Sequence, residues 1–168
     1  MRASTRLTAL AAAAFLALFA IVSTTLGTPA GGVISAPILA RGDFIDDVGV
    51  KLKFSTNFGT GVSEAADAGE VIVQEITIAP GGTTGWHSHP GPVVVVVKAG
   101  ALTYVREDHG TCFETVYAAG TAFVDPGQGH VHTAYNRGSD NLVLYATYFD
   151  VGAGTSPRID EPVAAPAC

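Results

Sequence analysis

The sequence predicts an all-β fold, a single sandwich or barrel, on three observations. Runs of β-branched and aromatic residues recur from residue 71 onward at spacings of roughly ten residues. Each run ends in a cluster of glycine, proline, asparagine or aspartate, the residues that tight turns demand. No stretch beyond residue 30 sustains a 3.6-residue apolar period with capping signals. At 168 residues the chain is long enough for one domain with a real core and short for two.

Taken in order, the first of these strands is "VIVQEITIA" (71–79), closed by "APGG". The turn "HPG" then leads into "PVVVVVKA" (92–99), whose Val93, Val95 and Val97 share one face by the two-residue period of a strand. "ALTYVRE" (101–107) follows across "AG", "CFETVYA" (112–118) across "DHG", and "TAFVD" (121–125) across "AAG". "VHTAYNR" (131–137) comes after "DPGQG", and "NLVLYATYFD" (141–150) after "RGSD". Upstream, residues 31–69 are expected to add N-terminal strands and a polar, glycine-rich loop, "STNFGTGVSEAADAG" (55–69), to a core of residues 70–150. Residues 151–168 form a proline-rich tail.

The first thirty residues stand apart. Arg2 and Arg6 precede an apolar run from Leu7 to about Leu26 that ends in small residues, with no acidic side chain. This is the pattern of an export signal cleaved after Ala30, or of an uncleaved anchor, since about 20 apolar residues suffice to span a bilayer. The expected location is extracytoplasmic, secreted or in the cell envelope. An oxidising compartment favours joining Cys112 to Cys168, the two cysteines of the chain. The formal net charge of −6 offers no basic face to nucleic acid or to anionic lipid. No membrane contact is expected of residues beyond the leader, and a homodimer is compatible with the pattern.

Four of the five histidines fall in two His-x-His pairs, His87/His89 and His130/His132, each at the entry to a strand. Alternation sends His87 and His89 to one side and Ser88 to the other. Two such pairs converging inside one small barrel offer imidazole nitrogens enough for a metal.

Residues 81–100 and 120–136 resemble the two motifs of the cupins, small barrels of the double-stranded β-helix, or jelly-roll, type. Gly81, five residues, His87-Ser88-His89, three residues, Val93, six residues and Gly100 follow the first motif, except that valine stands where the family has glutamate. Gly120, "TAFVD", Pro126, His132 and Asn136 follow the second, with one extra residue before His132. The resemblance implies His87, His89 and His132 as metal ligands, and Val93 as a wall residue in place of the anionic one. Three neutral imidazoles favour Zn, Cu, Ni or Fe over the harder Mn.

His130 is a candidate fourth ligand, and Gln74 or Glu75 on the first strand are further candidates, with the pattern not fixing which of those two looks inward. The Arg-Gly-Asp tripeptide at 41–43 is a common chance occurrence. Ser88 is no hydrolase nucleophile, because its hydroxyl points away from both imidazoles. His109 lies in a turn, and Trp86, Tyr104, Tyr135 and Tyr145 are packing aromatics, one of which shapes a pocket mouth at most. Three functions stay open: a divalent-metal-binding protein with a small apolar pocket for an organic ligand, a metal-dependent oxygenase or related oxidoreductase, and a metal-free structural or ligand-binding barrel.

Overall fold

The computed structural model describes residues 29–56, 59–108, 110–161 and 168. The leader expected at 1–30 lies, apart from Pro29 and Ala30, outside the described residues, as does His109. Every element among the described residues is a strand: β1 (Gly31–Ser35), β2 (Ile38–Asp43), β3 (Val50–Thr56), β4 (Gly59–Ala65), β5 (Glu70–Thr83), β6 (His87–Ser88), β7 (Val93–Ala99), β8 (Ala101–Asp108), β9 (Thr111–Ala118), β10 (Ala122–Asp125), β11 (His132–Tyr135), β12 (Leu142–Val151) and β13 (Ile159–Asp160). The main sheet runs β10-β7-β12-β5-β11-β6-β13, with β1 and β2 on β5, and β8 joining β11 to β9. It curls into a nearly closed double-stranded β-helix barrel.

Alternation builds the core. In β7, Val93, Val95 and Val97 are buried while Val96 and Lys98 are exposed, and in β12 Leu142, Leu144, Ala146 and Tyr148 turn inward. These chains meet Ile72 and Ile78 of β5, Leu102 and Tyr104 of β8 and Ala134 of β11 in one cluster. Burying such apolar surface, at roughly 25 cal/mol per Å², is the main force closing the barrel. Asn136, the asparagine of the second motif, is buried and serves the turn: its amide donates to the carbonyls of Ile78 and Asp140.

The structure corrects the reading of residues 55–69 as a loop. β3 and β4 form an antiparallel hairpin from Val50↔Ala65 to Thr56↔Gly59. The alternating "VKLKF" of β3 finds a partner among small residues whose low strand preference hid it, and the Phe54 ring lies over the bare backbone of Gly61 opposite it. The strand expected at 71–79 also runs further, to Thr83, turning the corner between the two halves of the barrel at Gly81 and Gly82.

The C-terminal tail is drawn back over the barrel. Ile159 pairs with Ser88 and Asp160 with His87, the Glu161 amide donates to the Trp86 carbonyl, and the Ser88 hydroxyl donates to Glu161 at 2.6 Å. The Cys112–Cys168 disulfide forms as expected, across 56 residues of sequence. Closing a loop of that size restricts the unfolded chain by an amount worth about 4 kcal/mol.

Candidate metal centre

A short loop and a tight turn bring the histidines together. Gly85, at a positive φ of 68°, redirects the chain after β5 so that β6 begins at His87. Alternation then aims His87 and His89 inward and Ser88 outward, as expected. From the other side, the turn 126–131 delivers His132 to the start of β11, directly opposite His87 in register. That turn presses on the loop of the first pair: a side-chain carbon at Gly127 would lie 1.7 Å from the Gly91 carbonyl oxygen, so only glycine fits. The Gly129 amide ties the two together by donating to the His89 carbonyl.

The three rings lie with centroids 4.3 to 5.1 Å apart, and one nitrogen from each falls within 4.8 Å of the others. All three are about 5 to 6% exposed. Each has its Nδ1 engaged with an oxygen: His87 with the Gly85 carbonyl at 2.8 Å, His89 with the Pro157 carbonyl at 2.7 Å, and His132 with the His130 carbonyl at 3.2 Å and the Asp125 carboxylate at 3.2 Å. Those oxygens are acceptors, so Nδ1 must carry the proton and Nε2 the lone pair. With each Nδ1 so engaged, Nε2 is the nitrogen left to each ring for a dication, and three clustered rings that each offer one are an arrangement that a dication satisfies.

Asp125 was not among the residues singled out from sequence. It ends β10 directly opposite Val93 of β7, and cross-strand partners in an antiparallel pair share a face. Its carboxylate is 1% exposed, accepts from the Tyr104 hydroxyl at 2.6 Å and the Gly127 amide at 2.8 Å, and backs His132. An anionic group thus stands one strand away from the position where valine replaced glutamate. The one legible signal was parity: in "AFVD", Asp125 falls on the same side as Phe123, which lines the cavity.

The other candidates fall elsewhere. β11 begins at His132, so His130 belongs to the preceding turn and not to the strand pattern; it groups with Asp125 and His132, away from His87 and His89. Glu75 faces outward and pairs with Lys98 at 3.2 Å. Gln74 faces the interior side, accepting from the Tyr148 hydroxyl and donating to the Ala36 carbonyl. Arg41 lies within β2 and pairs with Glu70 at 2.9 Å, so the Arg-Gly-Asp tripeptide is part of a paired strand. Tyr104 stacks on His132 with ring centroids 5.0 Å apart. Trp86 is buried, and Tyr145 sits outside beside Lys98.

Above the three rings lies a cavity of about 40 Å³ walled by Val93, Val95, Leu102, Phe123, Leu144 and Ala146. A second cleft of about 250 Å³ reaches His87 and His89 from the side of Val33, Ile76 and Arg158.

Burial pushes the His87 imidazole well below its ordinary range, reinforced by the neighbouring His132 and His89. Burial, and then His132, bring His89 down to about 4 against the opposing pull of Asp125 and the Pro157 carbonyl. Burial pushes Asp125 up, but His132, His89, Tyr104 and the Gly127 amide outweigh it, and the carboxyl ends below its usual value. Burial and then Asp125 hold Tyr104 well above its ordinary value, so it remains a donor. The histidine shifts set a sign. An unfolded imidazole binds protons below pH ~6.5 that the folded ring refuses. The stability contributed by neutral His89 is therefore complete above pH ~6.5 and lost as the pH falls towards 4. Metal-free protein should be less stable at pH 5 than at pH 7.5, with about 2 kcal/mol from His89. Urea unfolding at the two pH values measures this, and equal stabilities would show that burial does not hold the ring neutral.

Residues 74–148 match the family model of the cupin domain. Over 71 residues the chain is 32% identical to the (R)-mandelonitrile lyase of Granulicella tundricola, covering 42% of this chain and 53% of that protein. The chain thus spans about half the length of the curated relative it matches. Similar solved structures include a protein with a double-stranded β-helix domain from Klebsiella pneumoniae, 23% identical, with a TM-score of 0.45 over 54% of this chain and 75% of the other. A cupin domain from Bordetella pertussis is 23% identical, with a TM-score of 0.41 over 61% and 94%.

Proposed function

We propose, from the premise that residues 74–148 are a cupin domain, that this protein binds one divalent transition metal through the Nε2 atoms of His87, His89 and His132 and presents it to a small organic ligand. The carrying observation is that all three Nδ1 atoms are engaged with oxygen acceptors. Second partners of this kind fix the tautomer and aim the ring of a metal-bound histidine. The donor set suits Zn, Cu, Ni or Fe, and the Asp125 carboxylate behind His132 supplies negative charge that also makes Mn acceptable. A dication there would polarise a ligand oxygen or nitrogen, or carry redox chemistry where the metal allows.

The chain's own residues do the rest. Val93, Val95 and Leu144 exclude water above the rings, and the Tyr104 hydroxyl keeps Asp125 oriented on His132. A catalytic form of this reading, a metal-dependent enzyme acting on a small molecule, is supported by the partial likeness to a lyase. An extracytoplasmic location is supported by the Cys112–Cys168 bridge and by the arginine-led apolar run.

The test is elemental analysis of protein purified without a histidine tag, before and after separate loading with Zn²⁺, Cu²⁺, Ni²⁺, Fe²⁺ and Mn²⁺. About one dication per chain, retained through gel filtration, is expected. Retention of none of the five would overturn the reading.

A further inference from the structure

The segment after β12 supplies a charge to the site. Residues 155–161 cross the barrel mouth, held by the β13 pairing with β6, by Ser88 on Glu161, and by Arg41 on the Thr155 carbonyl. Within that strap the Pro157 carbonyl holds His89, and the next residue, Arg158, lines the 250 Å³ cleft that reaches His87 and His89. Among the described residues that line this cleft, Arg158 is the one charged side chain, since burial keeps His87 and His89 neutral. Its guanidinium is anchored through Nε to Asp160 at 2.6 Å and remains 28% exposed. The walls are otherwise small and apolar, with Val33, Ala36 and Ile76, and hydroxyl and amide groups from Tyr148 and Gln74 at one side.

We infer that the cleft binds a small monocarboxylate, its carboxylate on the Arg158 guanidinium and its short apolar body along Val33, Ala36 and Ile76. This rests on the proposed metal site only in that the far end of such a ligand faces His87 and His89. A guanidinium offers a planar fork that matches a carboxylate in two parallel hydrogen bonds, stronger than neutral ones. The cleft volume is below the ~300–1,000 Å³ of ordinary ligand pockets, which selects ligands of a few carbons. In an otherwise acidic chain (formal net charge −6), a guanidinium that lines an apolar cleft and is paired only through Nε to the exposed Asp160 attracts an anion that the rest of the surface repels. Asp160 competes for the same guanidinium, so it sets how much charge the ligand meets.

The experiment is calorimetric titration of the full chain with butanoate and with its neutral counterpart butanamide, with zinc content measured on each sample. The parent loaded with zinc should bind butanoate at least tenfold more tightly than butanamide. Arg158→Gln should abolish that preference while keeping its zinc, Arg158→Lys should keep part of it, and Asp160→Asn should strengthen it severalfold. A strengthened preference in Asp160→Asn is not expected of a merely structural strap residue. Zinc retained in Arg158→Gln together with an unchanged butanoate preference would overturn the inference and leave the metal reading standing. Absence of the preference in the parent would overturn it as well. Absence of zinc from the parent, with the Arg158-dependent preference intact, would instead sink the metal reading alone.

Discussion

His87→Ala is expected to reduce bound metal from about one ion per chain to a small fraction of that. Burial holds His87 and His89 neutral, so neither contributes long-range attraction, and the site depends on having all three nitrogens in place. Removing one leaves two nitrogens and solvent in a buried cavity walled mainly by apolar side chains, with Asp125 engaged behind His132 and not replacing the lost nitrogen. The structural cost is smaller. The Gly85 carbonyl loses its donor, worth about 1 kcal/mol, while three clustered ring nitrogens become two. Metal-free parent and variant should therefore melt within a few degrees of each other. The difference appears on adding metal: at a thousandfold excess over Kd the parent gains about 4 kcal/mol by linkage, and the variant gains almost nothing. The readouts are metal content and melting temperature, with and without zinc. An unchanged metal content and an unchanged zinc-induced shift would mean that His87 is not a ligand.

That His87 and His89 share a face was legible from the two-residue period alone, because no other period puts residues two apart side by side. The inward set Val93, Val95 and Val97 followed from the same rule. The rule fails where its premise does. His130 shares the parity of His132 only if the strand has already begun there, but Gly127, Gln128 and Gly129 all take positive φ, and the strand starts at His132. Asp125 was hidden for a different reason. Its importance comes from lying opposite Val93 in the β10–β7 register, and cross-strand register is a property of two segments that neither reveals by itself. Arg158 was hidden likewise: its "SPRIDEP" surroundings read as a loose tail, and only the pairing of Ile159 and Asp160 with the His87–Ser88 strand brings it to the mouth. Residues 55–69 show the converse, since strand pairing carried by one alternating partner can recruit a glycine-rich one.

The exchange of carboxylate between positions 93 and 125 gives the second large effect. Asp125→Asn should weaken metal binding by about 10- to 100-fold, the usual consequence of losing the carboxylate behind a metal-bound histidine, while the amide oxygen can still accept from Tyr104 or Gly127. Val93→Glu alone should behave differently with and without metal. Directly opposed residues have Cβ atoms about 4.5–5.5 Å apart, so this change puts a second carboxylate beside Asp125 in a nearly solvent-free spot. Like charges there force one group to hold a proton, and metal-free protein should lose stability. A bound dication favours the charged form and supplies an oxygen-seeking partner, so metal-loaded Val93→Glu should lose much less, and its preference should move towards Mn²⁺ or Fe²⁺. The decisive sample is the double variant, Val93→Glu with Asp125→Asn. It moves the one negative charge across the strand pair, and it should bind metal more tightly than Asp125→Asn alone. The four proteins form a double-mutant cycle in metal affinity and in metal-free stability, and contacting residues should couple by about 0.5–3 kcal/mol. Strict additivity in both measurements would show that the side chains at 93 and 125 do not share the interior face beside the three histidines.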